Sequence, residues 1–289
     1  MSDTFVRSCE HWSEAGRREM DDFYALAWVD YRHLALAFDW RCWFETLQRR
    51  VGDRALRLLD VACGSGKFPA ALLRDAGLGA AHVQPVAYSL LDPAAFSIRE
   101  ARAALQPPFA AAQEFECTLQ DFDGSAASYD IVWATHALYA VPPAQIDAAL
   151  RQFVNALGEH GVGFIAHACE DAHYLAFYRA YLEAFRDSED VPPYTSAEQL
   201  LASFERLGVP VHAQDIEYTN GAPAGRTDQV QGYLQRCVFD ERFGLPELLA
   251  AEPTGEWLAK CRRGGDWAFA QRVKLITINA PRPMPVSPS

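Results

Sequence analysis

Leu58-Leu59-Asp60-Val61-Ala62-Cys63-Gly64-Ser65-Gly66-Lys67-Phe68 reads as a buried strand, an acid at its end, a glycine-rich turn and the start of a helix. Gly64 and Gly66 let the backbone turn tightly and approach a ligand closely. Asp60 stands where it can organise that turn and meet whatever the turn holds. In an open α/β sheet such a loop lies at the carboxyl edge of the strands, where ligands bind. Two other uses of a glycine-rich turn fail on residue identity. A dinucleotide fingerprint needs a third glycine near Pro69, and there is none. A P-loop needs the order Gly-Lys-Ser/Thr, which Gly66-Lys67-Phe68 breaks.

The flanking sequence alternates short apolar runs with helical stretches. Val86–Leu91, Phe115–Cys117, Ile131–Ala134 and Val162–His167 are further strand candidates. Phe68–Asp75, Ala94–Leu105 and Ala144–Leu157 separate them as helices. Such alternation predicts parallel βαβ units with right-handed crossovers. Met20 to Arg50 reads as mainly helical, with Tyr24, Trp28, Tyr31, Ala35 and Phe38 at helical spacing. Trp28 is assigned to core packing, since an amphipathic helix needs such a face. In the second half, Ala172–Phe185 and Ser196–Leu207 look helical, Val209–Tyr218 and Val273–Asn279 look like strands, and Thr227–Arg263 reads as helical between them. The expected architecture is α/β: a doubly wound, Rossmann-like, seven-stranded, mostly parallel sheet. Residues 1–50 would form a helical cap and 51–280 the α/β domain, with an insertion at about 222–265 joining the cap. The Pro/Ser-rich tail 281–289 is expected to be disordered.

Three further segments carry candidate chemistry. Tyr88-Ser89-Leu90-Leu91-Asp92-Pro93 ends a second strand on an acid placed to accept both ribose hydroxyls of a nucleoside cofactor. Asp92 also suits the N-cap of the next helix, and both roles are compatible. Gln120 and Asp121, after the third strand candidate, could each bind an adenine amino group. The strand through Ile131–Ala134 delivers Thr135 and His136 to the same edge.

These four segments, in this order, resemble the class I S-adenosylmethionine-dependent methyltransferases over roughly residues 57–167. Ala62 stands where that family more often has glycine, and Asp92 lies further beyond the first motif, the extra residues being 76–85. The resemblance implies S-adenosyl-L-methionine as cofactor, held by Asp60, Ala62, Gly64, Gly66, Asp92, Pro93, Gln120, Asp121 and Thr135. Leu91-Asp92-Pro93, the run His136 to Val141, Tyr194-Thr195-Ser196 and the closing strand with its insertion are also similar to the histamine N-methyltransferase group. That similarity places Asp30, His136 and Gln271 around the acceptor, with Asp30 where the group has Glu and His136 where it has Gln. Asp30 and His136 are the catalytic candidates, and Tyr31, Tyr139 and His167 complete the expected acceptor pocket.

With 38 acids against 26 Lys and Arg the chain carries a formal charge of −12, which repels a phosphate backbone and makes nucleic acid an improbable partner. Seven cysteines form no C-x-x-C pair, and several sit in apolar surroundings, as reduced cysteines do. Residues Met1 to Trp12 contain charges and no apolar core, and no run approaches the ~20 apolar residues of a membrane span. A cytoplasmic monomer or homodimer acting on a small molecule is expected. The run from His167 to His173 holds five potential metal ligands but matches no accepted ligand spacing, and no metal is expected. Three functions remain open: methylation of a small-molecule amine nitrogen, S-methylation of a thioether such as methionine, and non-catalytic binding of S-adenosylmethionine. For the second, Arg32, Arg179 and Arg236 are candidates to hold a carboxylate.

Overall fold

The computed structural model describes residues 3–13, 17–124, 128–185 and 191–279; the expected tail lies outside them. Three N-terminal helices come first: α1 (Asp3–His11), α2 (Arg17–Leu36) and α3 (Trp40–Val51). The mainly helical stretch expected from 20 to 50 divides where Asp39 caps α3, its Oδ1 accepting the Cys42 N–H at 2.9 Å. Then β1 (Leu56–Val61), α4 (Lys67–Arg74), β2 (Val86–Leu91), α5 (Ala95–Ala104), β3 (Phe109–Phe115), β4 (Tyr129–Thr135), α6 (Ile146–Asn155) and β5 (Leu157–Ala168) follow. The remainder is α7 (His173–Phe185), α8 (Ala197–Arg206), β6 (Val211–Ala222), α9 (Thr227–Val238), α10 (Leu245–Ala250), α11 (Thr254–Lys260), β7 (Arg262–Arg263) and β8 (Asp266–Ile278).

The sheet order is β3-β2-β1-β4-β5-β8-β6, with the two-residue β7 paired to β8 as an eighth strand. The pairs from β3 to β5 are parallel, and β8 runs antiparallel to both β5 and β6. The third strand is Phe109–Phe115, earlier than the expected Phe115–Cys117. It is an edge strand with mostly exposed residues between its ends, so its alanines and polar side chains carry no hydrophobic signature.

Apolar burial on both faces holds the sheet. One face packs Trp40, Phe44, Phe68, Trp133 and Phe164 with helices α3 and α4, and the other packs Leu59, Val132, Phe153 and Phe204 with α6 and α8. A third cluster joins α2 to α7, α9 and the start of β8 through Ala27, Tyr174, Tyr233 and Phe269. Phe23 on α2 stacks on Tyr233 of α9 at 5.6 Å, so the helices between β6 and β8 pack with the N-terminal helices over the sheet. The expected single helical stretch 227–263 is three helices, since Phe239 turns left-handed at φ 50 and closes α9. Among the described residues no helix is long and apolar enough to cross a membrane.

The strand order changes direction between β1 and β4, and the crevice at such a point is where an open α/β sheet takes ligands. The turn there depends on Gly66, which has φ 69 and whose added Cβ would lie 3.1 Å from the Ala101 Cα of α5. Gly66→Ala is therefore expected to lose about 2 kcal/mol or more through left-handed strain and backbone overpacking. Urea denaturation checks this, and unchanged stability would mean that α4 and α5 are not locked together at this point.

Candidate active site

One cleft opens at this switch point, between the β1–α4 loop and the cap, and its walls come from five regions. The loop supplies Asp60 to Ser65, the end of β2 supplies Asp92 and Pro93, and the segment after β3 supplies Thr118 to Gln120. The end of β4 supplies Thr135, His136 and Tyr139, and the cap, with α7 packed against it, adds Trp12, Phe23, Tyr24, Asp30, Tyr31, Tyr174 and Arg236. Asp30, Tyr31, Asp60, Ala62, Gly64, Asp92, Pro93, Gln120, Thr135, His136 and Tyr139, all singled out from sequence, thus converge on one space. Gly66 shapes the loop from behind.

Asp60 and Asp92 play different parts. Register places Asp60 opposite Leu90 of β2 and Trp133 of β4, and its Oδ2 accepts the Tyr88 hydroxyl at 2.7 Å. Burial pushes its carboxyl up to about 7, against the pull of that hydroxyl. Asp92, one residue past β2, accepts the N–H of Gly64 at 3.1 Å through Oδ2 and that of Ala94 at 2.9 Å through Oδ1. It ties the loop to the N-terminus of α5 and still faces the cleft, with burial raising its pKa to about 6. A Cβ on Gly64 would meet nothing nearer than the Tyr24 hydroxyl at 3.8 Å, so the loop leaves an open cradle beside the Asp92 carboxyl. Leu119 forms an apolar wall and Gln120, donating to Gln145 Oε1 at 2.9 Å, a polar one. Asp121 is exposed and takes the Thr118 hydroxyl at 2.6 Å outside this cleft. A carboxylate for ribose hydroxyls, a bare glycine turn and an apolar wall ending in an amide fit a nucleoside with a thioether-linked tail.

A third acid, Asp30 of α2, lines the same cleft. Asp30 is 2% exposed, and it accepts the Tyr174 hydroxyl on Oδ2 and the Asn220 amide at 3.0 Å on Oδ1. Burial raises it to about 6 although these partners favour the carboxylate. Aromatic rings surround it: Tyr24 and Tyr31 pack at 6.2 Å, Phe23 and Tyr174 at 6.2 Å, and Tyr139 and Tyr174 at 6.4 Å.

His136 sits just past β4 with φ 53, a left-handed conformation uncommon for a side chain of this size. Its N–H still bonds the Ala166 carbonyl at 2.9 Å, which fixes the turn. Nδ1 lies 2.6 Å from the Tyr139 hydroxyl, whose oxygen accepts the Ala168 N–H at 3.3 Å. Nε2 is buried with no hydrogen-bond partner among the described residues. Burial lowers the imidazole to about 4, so it is neutral near pH 7.

Two expected acceptor residues lie one layer back. His167 stacks on the far side of Tyr139 at 4.2 Å, and its Nε2 is 2.8 Å from the Thr195 carbonyl. Gln271 is buried on β8 opposite Tyr218 of β6, away from the cleft walls. The side chains of the His167–His173 run diverge: Glu170 pairs with Arg179, Asp171 with Arg272, and His173 faces Trp257. Trp28 packs against the core under the Arg74 guanidinium at 3.9 Å.

Sequence reasoning did not find α1 as a wall. Its Phe5, Ser8, Cys9 and the following Trp12 reach the cleft, held by the Thr4–Tyr178 hydroxyl contact at 2.9 Å and the Arg7–Asp240 ion pair at 2.7 Å. Both partners are distant in sequence, and no local pattern marks them.

Residues 59–162 match the family described as a methyltransferase domain. The chain carries a methyltransferase domain. Its fold is that of the S-adenosylmethionine-dependent methyltransferases, and S-adenosyl-L-methionine is the cofactor of that class. Among solved structures, it is similar to magnesium protoporphyrin IX methyltransferase of Synechocystis PCC 6803, solved with bound S-adenosylhomocysteine, at TM-score 0.51 and 10% identity, covering 95% of this chain and 99% of that one. It is also similar to the YcgJ protein of Bacillus subtilis at TM-score 0.51 and 16% identity, covering 81% and 95%. A Bacillus halodurans C-125 protein aligns at TM-score 0.50 and 14% identity, covering 81% and 96%. No curated protein sequence matches the chain.

The raised pKa of Asp30 has a stability consequence. The native state keeps a proton that the unfolded chain releases above 3.8, so stability falls as pH rises from 3.8 to about 6. Each unit in that window costs about 1.4 kcal/mol. Asp30→Asn is expected to be up to about 3 kcal/mol more stable than the parent at pH 8, with the advantage shrinking below pH 5. Denaturant titrations at the two pH values test it, and a variant equally destabilised at both would place no desolvation cost on Asp30.

Proposed function

We propose that this protein transfers the methyl group of S-adenosyl-L-methionine to the nitrogen of a small-molecule amine. The observation that carries the choice of acceptor is Asp30: a carboxyl buried among tyrosine and phenylalanine rings, in the wall of the same cleft as the glycine-rich loop. Carboxylate plus aromatic faces is a pocket chemistry that selects a compact cation over neutral or anionic molecules. The similarity to the histamine N-methyltransferase group supports an amine, since Asp30 and His136 both face the cleft. Gln271 does not, which favours a different amine from that group's substrate.

In this reading Asp92 holds the ribose hydroxyls, the backbone at Gly64 passes the thioether-linked tail, and Leu119 with Gln120 contacts the adenine. When bound, the cofactor supplies an electrophilic methyl group, whose bond to sulfur breaks as a nitrogen lone pair takes the carbon in line. The chain's residues prepare that lone pair. An amine enters as an ammonium paired with Asp30. Burial disfavours both charges, so the proton moves from nitrogen to the Asp30 carboxylate and leaves a neutral amine. An imidazole lowered to about 4 is a poor base, so His136 orients rather than deprotonates. With its oxygen taking the Ala168 N–H, the Tyr139 hydroxyl can donate a hydrogen bond to His136 Nδ1. Nε2 then carries the imidazole hydrogen and offers it to a polar atom of the acceptor.

Calorimetric titration with S-adenosylmethionine and S-adenosylhomocysteine, followed by a labelled-methyl screen of small amines and thioethers, tests the proposal. Micromolar cofactor binding and a labelled N-methyl product are expected. A sulfonium product would assign a thioether acceptor instead, and tight binding without transfer would assign a non-catalytic role. Asp92→Ala is expected to weaken cofactor binding by about 1.5–3 kcal/mol, as loss of hydrogen bonds to a charged group does. Asp30→Ala is expected to leave that affinity within about twofold and to lower kcat/KM for the amine by ~100-fold or more. If Asp30→Ala abolished cofactor binding, the two acids would have been assigned to the wrong ligands.

A further inference from the structure

Two cations in the cleft have no part in that mechanism. Lys67 opens α4 directly after the glycine-rich loop, with Nζ 4.5 Å from the Tyr24 ring centre. Arg236 comes from α9, on the insertion, and is 2% exposed. Its Nη1 donates to the His11 carbonyl, and its guanidinium lies 4.9 Å from the Trp12 ring centre. The Trp12 and Tyr24 rings are 5.9 Å apart, so both cations lie against one aromatic pair in the cleft wall. Tyr24 marks the place: its hydroxyl faces the loop at Gly64, and Arg236 acts on that hydroxyl against the burial that raises its pKa. Of the other arginines considered from sequence, Arg32 is exposed and Arg179 pairs with Glu170 at 2.9 Å outside the cleft.

The cleft is therefore polarised. Tyr24 and Asp30 are six positions apart on α2, about 9 Å along the helix axis, with the cations near the first and the buried carboxyl at the second. We propose that Lys67 and Arg236 form a carboxylate subsite at the glycine-loop end of the cleft. The inference rests on the methyltransferase reading and narrows it. A guanidinium binds a carboxylate through paired N–H bonds and an ammonium as a point charge, and both bonds strengthen where water is excluded. The carboxylate comes either from the amino-acid tail of S-adenosylmethionine, which must pass this loop, or from an amino-acid acceptor spanning to Asp30.

The full-length protein and its Arg236→Gln and Lys67→Met variants are titrated with S-adenosylhomocysteine and with methylthioadenosine, which keeps the nucleoside and thioether but lacks the amino acid. If the subsite serves the cofactor, each variant loses roughly tenfold or more in S-adenosylhomocysteine affinity and keeps its methylthioadenosine affinity. If it serves the acceptor, both affinities stay, and KM rises roughly tenfold for α-amino acids but not for their decarboxylated amines. Variants that alter none of these overturn the subsite. Arg236→Gln also removes the bond to His11, so Lys67→Met provides the independent reading, and retained methylthioadenosine binding certifies a folded nucleoside site. A parent protein that binds neither nucleoside would instead overturn the methyltransferase reading, and the subsite with it.

Discussion

Burial of three carboxyl groups around one cleft is the constraint on which the rest depends. Asp30, Asp60 and Asp92 are 2%, 3% and 6% exposed, and burial lifts each to about 6 or 7. Desolvated acids cost stability unless hydrogen-bond donors or cations meet them. The protein supplies donors: the Tyr88 hydroxyl for Asp60, two backbone N–H groups for Asp92, and Tyr174 with Asn220 for Asp30. A sulfonium cofactor with ribose hydroxyls and an amine acceptor would supply the rest. Strain gathers at the same place, for Ala62 and His136 both hold left-handed backbone at the strand ends that face the cleft. Such conformations persist where surrounding packing over-determines them, and they cluster at functional sites.

The division of labour between sheet and cap follows from this. Strand register fixes the loop, Asp92 and His136 along the carboxyl edge of the sheet, the part of the site that would hold the methyl donor in the proposed reading. Asp30, Tyr31, Tyr174 and Arg236 come from helices outside the parallel strands and would decide the acceptor. Sheets of this kind host many chemistries, so the acceptor is argued from the cap residues and not from the fold.

The strand–loop–helix at residues 58–68, the acid after β2 and the parallel strand–helix alternation were legible in the sequence because buried parallel strands are apolar runs with sharp ends. The third strand was misplaced because an edge strand of alanines and polar residues lacks that signal. The breaks at Asp39 and Phe239 escaped because apolar periodicity continues across them while a cap or a left-handed residue ends the helix. In the site, the sequence pointed to the carboxyl edge of the sheet but not to side-chain direction. His167 and Gln271 lie on strands next to the cleft yet face the layer behind it, and Asp121 turns outward where its neighbour Gln120 turns in. The walls from α1 and the position of Arg236 depend on contacts between distant parts of the chain, from Thr4 to Tyr178, 174 positions on, to Arg236 and His11, 225 apart, which no local pattern encodes.

A crystal structure of the protein with S-adenosylhomocysteine bound is the most direct measurement of the central claim. The expected result has both ribose hydroxyls on the Asp92 carboxylate, the sulfur passing Gly64 and pointing into the ring of Tyr31, His136 and Tyr174, with Asp30 beyond it. A nucleoside seated elsewhere, or one in this cleft with its sulfur turned away from Asp30, would contradict it.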